Sequence, residues 1–155
     1  MIKFQTAAGH CDIPCKIYDP SLFLVAGLTV SRLIDLIEEE QVKGSSNAQM
    51  QIVRLIMEKE KQTSIVKDEV NTIWGDYFKE PQFAQFPDTH GVVHRIMQLA
   101  SKCKQEPSQG AASDLMDLLN RFAETFWATK NIQTARVKAP YPPAVDMVVP
   151  ILSSD

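Results

Sequence analysis

Apolar positions recur along this chain at helical rather than strand spacing. Asp19-Pro20 reads as a helix start, an N-cap residue followed by proline at the first helical position, where its missing N–H costs nothing. From Pro20 to about Val42, the residues Leu22, Val25, Leu28, Leu33, Leu36 and Ile37 follow at broadly helical intervals. The acidic run Glu38-Glu39-Glu40 sits awkwardly at the negative end of the helix dipole, and Gly44 is the expected C-cap. One long second helix is predicted from about Ala48 to Phe78, on Ile52, Val53, Ile56, Val66, Val70, Ile73, Trp74 and Tyr77. Its middle, Glu58 to Ser64, has no apolar stripe and is expected to be solvated. Pro81 is expected to end it. A third helix runs from Pro87-Asp88 to about Lys104 on Val92, Val93, Ile96, Met97 and Ala100. After the loop at Glu106 to Gly110, a fourth from about Ala112 to Thr129 buries Leu115, Met116, Leu119, Phe122 and Phe126.

Four helices with short connections fold most simply as an all-α, antiparallel up-and-down four-helix bundle. The stretch 131–155 departs from that pattern. Pro140, Pro142, Pro143 and Pro150 exclude a regular helix there, yet Val145, Met147, Val148, Val149, Ile151 and Leu152 are too apolar for a purely disordered tail. This Pro-rich C-terminal extension is expected to pack along the bundle or on a neighbouring subunit.

Composition narrows the function classes. At 155 residues, 45% hydrophobic and 23% charged, the chain is most simply one domain with a real core. A net charge of -3 gives no reason to expect a nucleic-acid partner, which would want a basic stripe. No apolar run approaches the roughly 20 residues that span a bilayer, so no membrane partner is expected. The leading MIKFQTAAG lacks the apolar core of a secretory signal, which runs to about 7–15 residues. Three cysteines are too few for a secreted disulfide framework, and a reducing, cytoplasmic setting is expected.

The chemistry gathers in HCDIPCKIYDP, residues 10–20, which places one of three histidines and two of three cysteines within six positions. Thiolates and imidazole are soft and borderline ligands, suited to zinc, copper or nickel rather than magnesium or calcium. Pro14 bends the chain so that both sulfurs can turn toward one point, with the His10 ring beside them. Two sulfurs and up to three nitrogens in one turn suit a square-planar or square-pyramidal ion better than tetrahedral zinc. A disulfide or thiol redox pair, and a zinc site completed by His90 or His94, remain open on spacing alone. Otherwise His90 and His94 read as structural or surface residues, and Cys103 as an unreactive, partly buried thiol.

The same stretch resembles the nickel-binding hook of the nickel-containing superoxide dismutases, His-Cys-x-x-Pro-Cys-x-x-Tyr, at His10, Cys11, Pro14, Cys15 and Tyr18. Two further segments resemble that family: Trp74-Gly75-Asp76-Tyr77-Phe78-Lys79, followed by Pro81, Phe83, Pro87 and His90, and Phe126-Trp127-Ala128-Thr129-Lys130. The resemblance covers residues 10–130. It implies a four-helix bundle in a homohexamer that converts superoxide to oxygen and hydrogen peroxide by Ni(II)/Ni(III) cycling, with one nickel ion per subunit. The metal would be held by the Cys11 and Cys15 thiolates, the Cys11 amide nitrogen, the His10 amine and, in the oxidised state, the His10 imidazole. Tyr18 and Tyr77 would stand over the open face of the metal and position the substrate, with Asp12 and Lys79 ordering the hook.

That reading divides the chain into a leader at 1–9, removed by a maturation protease to free the His10 amine, a hook-bearing bundle at 10–130 with the hook at 10–18, and the 131–155 extension. Three departures from the family pattern stand out. Ala26 and Gln62 occupy the places of an acidic residue and an arginine that help hold the axial histidine, and Lys16 stands where glycine is common. The alternative is a non-catalytic or precursor-state relative whose hook binds nickel or copper without turnover. Lys16 and Lys79 are the expected local attractors for the substrate anion.

Overall fold

The computed structural model of the protein describes residues 16–44 and 46–152. The leader and the hook positions His10, Cys11, Asp12 and Cys15 lie outside the described residues. The described chain is mainly helical: α1 (Ser21–Lys43), α2 (Ala48–Thr72), a π-helical turn (Ile73–Tyr77), α3 (Glu80–Gln85), α4 (Thr89–Gln105) and α5 (Gln109–Ala128). Two strands follow, β1 (Thr134–Lys138) and β2 (Asp146–Pro150). α1 packs against α2 and α5, and α4 packs against the same two helices from the other side.

α1 begins where Asp19-Pro20 predicts, with the Ser21 N–H donating to Asp19 Oδ1 at 2.8 Å. It ends where Gly44 adopts φ +56° and returns its N–H to Glu40 O. Arg32 and Lys43 answer the acidic run, at 3.0 Å from Glu39 and 2.8 Å from Glu40. The buried face is only partly the expected one, with Leu28, Leu33 and Ile37 buried as the spacing predicts. Leu22 and Val25 are exposed, and the core side carries Phe23, Leu24, Leu28, Val30, Ile34 and Ile37. Gly27 selects that face: a Cβ there would lie 2.6 Å from Leu119 Cδ1 and 2.8 Å from Met116 Sδ, so α1 and α5 approach closely only where glycine stands. Periodicity alone could not choose, because α1 is apolar on too much of its circumference.

α2 corrects two expectations. Its middle is not a solvated stretch, since Lys59 and Thr63 are buried and continue the inward stripe of Val66, Val70 and Ile73. Lys59 Nζ donates to the carbonyls of Cys103 and, at 2.8 Å, Lys104. It thereby satisfies backbone acceptors that the end of α4 leaves over, at the helix terminus where a cation is favoured. Desolvation lowers the Lys59 pKa from its usual value, and burial pushes the neighbouring Cys103 thiol up to about 11. Cys103 is fully buried and protonated, an inert thiol as expected. At the far end, Pro81 does not merely close a helix. It lies in the first turn of α3, whose entry is held by the Lys79 N–H donating to Gln82 Oε1 at 3.0 Å.

The prolines of the extension exclude helix as expected, and the segment forms an antiparallel hairpin with Arg136 opposite Val148 and Lys138 opposite Asp146. It packs on its own chain, along α5. Asn120 of α5 is buried and grips β2 at two points: its Nδ2 donates to Asp146 O at 2.8 Å, and its Oδ1 accepts from the Val148 N–H at 2.9 Å. Val148 and Ala139 are buried beneath the hairpin, and Arg136 makes a two-point ion pair with Glu124 at 2.7 and 3.1 Å.

Asn120→Ala leaves a buried N–H and a carbonyl of β2 without partners, so it should cost about 1–3 kcal/mol in chemical denaturation. The same variant should hasten proteolysis within 131–152, with the helical part resisting longer. Lys59→Met should cost a similar amount, about 1–3 kcal/mol, by orphaning the carbonyls at the end of α4.

Candidate functional site

The hook pattern closes at Tyr18, and the described chain resumes just before it, at Lys16. Lys16 adopts φ +54°, a left-handed conformation in which a side chain is strained and glycine is not. The substitution of glycine by lysine noted in the sequence therefore falls on a backbone position that favours glycine. Tyr18 is half-buried and meets Tyr77, with ring centroids 5.6 Å apart and planes inclined at 54°. Two sequence-predicted site residues, 59 positions apart, are thus brought together.

Tyr77 is placed by the way α2 ends. The π turn Ile73–Tyr77 closes with the Phe78 N–H on Ile73 O at 3.2 Å, so Ile73 and Phe78 both bury while Tyr77 stays at the rim. Around its ring lie Phe126 at 4.8 Å and Phe78 edge-on at 5.4 Å. Lys130 Nζ sits over the Tyr77 ring at 4.8 Å and over Phe126 at 5.2 Å, a cation held by two aromatic faces. The Tyr77 hydroxyl meets Thr129 Oγ1 at 2.5 Å, and the Thr129 hydroxyl in turn donates to Phe126 O at 2.6 Å.

Thr129 and Lys130 belong to the third family-like segment, which was legible in the sequence without any role for those two residues. The two cations predicted from the sequence stand differently. Lys79 is exposed and its Nζ donates to Gly75 O at 3.1 Å, and Lys16 is also exposed. His90 accepts a hydrogen bond at Nδ1 from Trp74 Nε1 at 3.1 Å and stacks on Phe83 at 4.1 Å. Among the described residues no three His, Cys, Asp or Glu side chains gather as a metal site, and a zinc site shared between the hook and His90 or His94 would fall partly outside them. Ala26 is buried in the core, and the Gln62 amide donates to Glu58 Oε1 at 2.8 Å.

Residues 5–130 match the nickel-containing superoxide dismutase family, and the chain belongs to it. It is similar to the superoxide dismutase [Ni] of Streptomyces coelicolor, 28% identical over 125 residues that cover 81% of this chain and 91% of that one. The Streptomyces seoulensis enzyme is 27% identical over 123 residues, covering 79% and 89%. Among solved structures, a nickel-containing superoxide dismutase in the oxidised state matches with a TM-score of 0.68 at 26% identity, over 79% of this chain and 99% of that one. A native nickel superoxide dismutase matches at 0.67 and 27%, over 78% and 99%. The match to the family stops at residue 130, so the β1–β2 hairpin lies outside it.

Lys16→Gly should relieve the left-handed strain and raise stability by about 0.5–1 kcal/mol. Thermal unfolding of the two chains measures it, and an unchanged or lower midpoint would show that Lys16 is not strained.

Proposed function

We propose that this chain is a superoxide dismutase that turns two superoxide anions and two protons into one dioxygen and one hydrogen peroxide. Nickel would be held in the hook by the Cys11 and Cys15 thiolates and by His10. The donor set fits: two soft sulfurs and a borderline imidazole within six residues, next to a proline that bends the chain. When bound, nickel supplies the one-electron change that takes an electron from one superoxide and returns it to the next.

The rest of the work falls to the protein. The observation that carries the reading is the contact of Tyr18 with Tyr77, which joins the hook pattern to the second family-like segment at 5.6 Å. In this reading the two phenols wall the approach to the hook and position the substrate anion. Lys130 places a positive charge at this rim, a local attraction that the overall net charge of -3 does not offer an anion. Asp12 orders the hook from within.

The maturation and assembly of the chain follow from the same reading. Cleavage after Gly9 by a maturation protease frees the His10 amine, and a reducing cytoplasm keeps Cys11 and Cys15 as thiols. The four long helices form the antiparallel up-and-down bundle, a reading supported by the packing of α1 and α4 each between α2 and α5. Assembly as a homohexamer is supported by apolar side chains left uncovered on α1 and α2, notably Leu22, Met50, Val53 and Met57. No helix among the described residues is long and apolar enough to cross a membrane.

One observation favours the non-catalytic alternative. Ala26 brings no polar group, and Gln62 is engaged by Glu58, so neither supplies the charged pair that holds the axial histidine in the family pattern.

A chain beginning at His10, reconstituted with nickel, should remove superoxide and show a Ni(III) spin-resonance signal. Cys15→Ser should lose at least about a hundredfold in activity, beyond what a disturbed outer partner of a ligand costs. Nickel binding without turnover would select the alternative, and full activity in the chain that keeps residues 1–9 would overturn the cleavage.

A further inference from the structure

The hydrogen bonds at the end of α5 settle which way the Tyr77 proton points. A helix that continued past Ala128 would aim the Lys130 N–H at Phe126 O, but that N–H donates instead to Trp127 O at 3.0 Å, as the chain tightens into its final turn. The Phe126 carbonyl is left to the Thr129 hydroxyl, 2.6 Å away. A carbonyl only accepts, so the single proton of Thr129 is committed there. The 2.5 Å contact between Thr129 Oγ1 and the Tyr77 hydroxyl must then be made with the phenol's proton. Phe126 is fully buried, so turning the Thr129 proton toward Tyr77 would strand its carbonyl at the desolvation cost of an unmade bond.

We infer that Thr129 is a positioning residue that draws the Tyr77 proton away from the site, so that Tyr77 presents lone pairs, not an O–H, to whatever occupies the approach. The inference rests on the reading of Tyr18 and Tyr77 as the walls of that approach. Its chemical consequence is a division of species. Superoxide is an acceptor-only anion and gains no hydrogen bond from Tyr77. Hydrogen peroxide and water carry protons and can donate to it. Tyr77 therefore favours the protonated product and the water that delivers protons, while the attraction for the anion comes from Lys130 lying over the same ring. Neither ring geometry nor burial distinguishes these roles; the proton direction does.

The test begins on the metal-free protein. In ultraviolet resonance Raman spectra, the tyrosine Fermi doublet reports whether a phenol donates or accepts, and Tyr77 is isolated in a Tyr18→Phe, Tyr141→Phe background. The doublet should show a strong donor, keep that pattern in Thr129→Ser, and lose it in Thr129→Val. A donor pattern that survives Thr129→Val overturns the proposal, as does an acceptor pattern in the parent. In the nickel-loaded chain, Thr129→Val frees the phenol proton, so the acceptor-only anion azide should bind on the order of threefold to tenfold tighter, the worth of one hydrogen bond. Thr129→Ser should restore the parent affinity. Azide binding that is unchanged or weaker in Thr129→Val removes the role at the site, because a merely loosened helix end would not tighten it. If the loaded chain proves inactive while the Raman pattern holds, the proposed function fails and the proton direction stands.

Discussion

The rim of the site depends on a single irregularity, the π turn that finishes α2. In a regular α-helix, residues five apart are rotated by about 140° and cannot both face one core. Here Ile73 and Phe78 are both buried, because the chain takes one extra residue to close its turn and the Phe78 N–H reaches back to Ile73 O. Phe78 then stacks on Phe122 at 5.6 Å and meets Phe83 at 5.7 Å, which ties the end of α2 to α5 and to the short α3. Tyr77, one position earlier, is left facing outward over Phe126 and against Tyr18. An α-helical ending would bury one of Ile73 and Phe78 at the expense of the other, and would swing Tyr77 with them.

Three polar side chains do the same job in different places: Lys59 at the end of α4, Thr129 at the end of α5 and Asn120 beneath β2 each satisfy backbone groups that would otherwise be buried unpaired. This is where sequence reading and structure part. The helices were legible because amphipathic spacing, Asp19-Pro20 and Gly44 are local signals that act within a turn or two. Lys59 and Thr63 were not, since a pattern of apolar positions assigns every polar residue to solvent, and only the arrival of α4 reveals an acceptor for the lysine. The choice between the two faces of α1 was hidden for a related reason: Gly27 matters through Leu119 and Met116, which lie on α5 at the far end of the chain's helical part. The hairpin's prolines excluded helix correctly, but its grip on α5 depends on Asn120, which nothing in the extension itself announces.

For the site, spacing in the sequence was more informative than the fold. The hook donors are local, so one short motif brought His10, Cys11 and Cys15 into view together with Tyr18. Tyr77 was legible only through resemblance, and its meeting with Tyr18 supports that alignment from outside the motif. No role for Lys130 was legible, because its place over Tyr77 depends on the end of α5 meeting the end of α2.

The electrostatics of the rim follow from what each cation is paired with. On the hairpin, Arg136 and Lys138 are answered by Glu124 and Asp146, so little net field emerges there. Lys130 is instead held over the faces of Tyr77 and Phe126, and among the described residues no carboxylate forms an ion pair with it. A cation held by a quadrupole keeps its charge available, whereas one in a salt bridge does not. At physiological salt the screening length is about 8 Å, so a net charge of -3 spread over the whole surface matters less to an arriving anion than one unpaired charge at the rim. The same rim carries a phenol whose proton is committed inward, toward Thr129. In the proposed reading, attraction for the anion and acceptance from proton-bearing species fall to two groups on one ring, the Lys130 ammonium 4.8 Å from its centroid and the hydroxyl at its edge. Disproportionation needs both, since an anion must enter and protons must follow it.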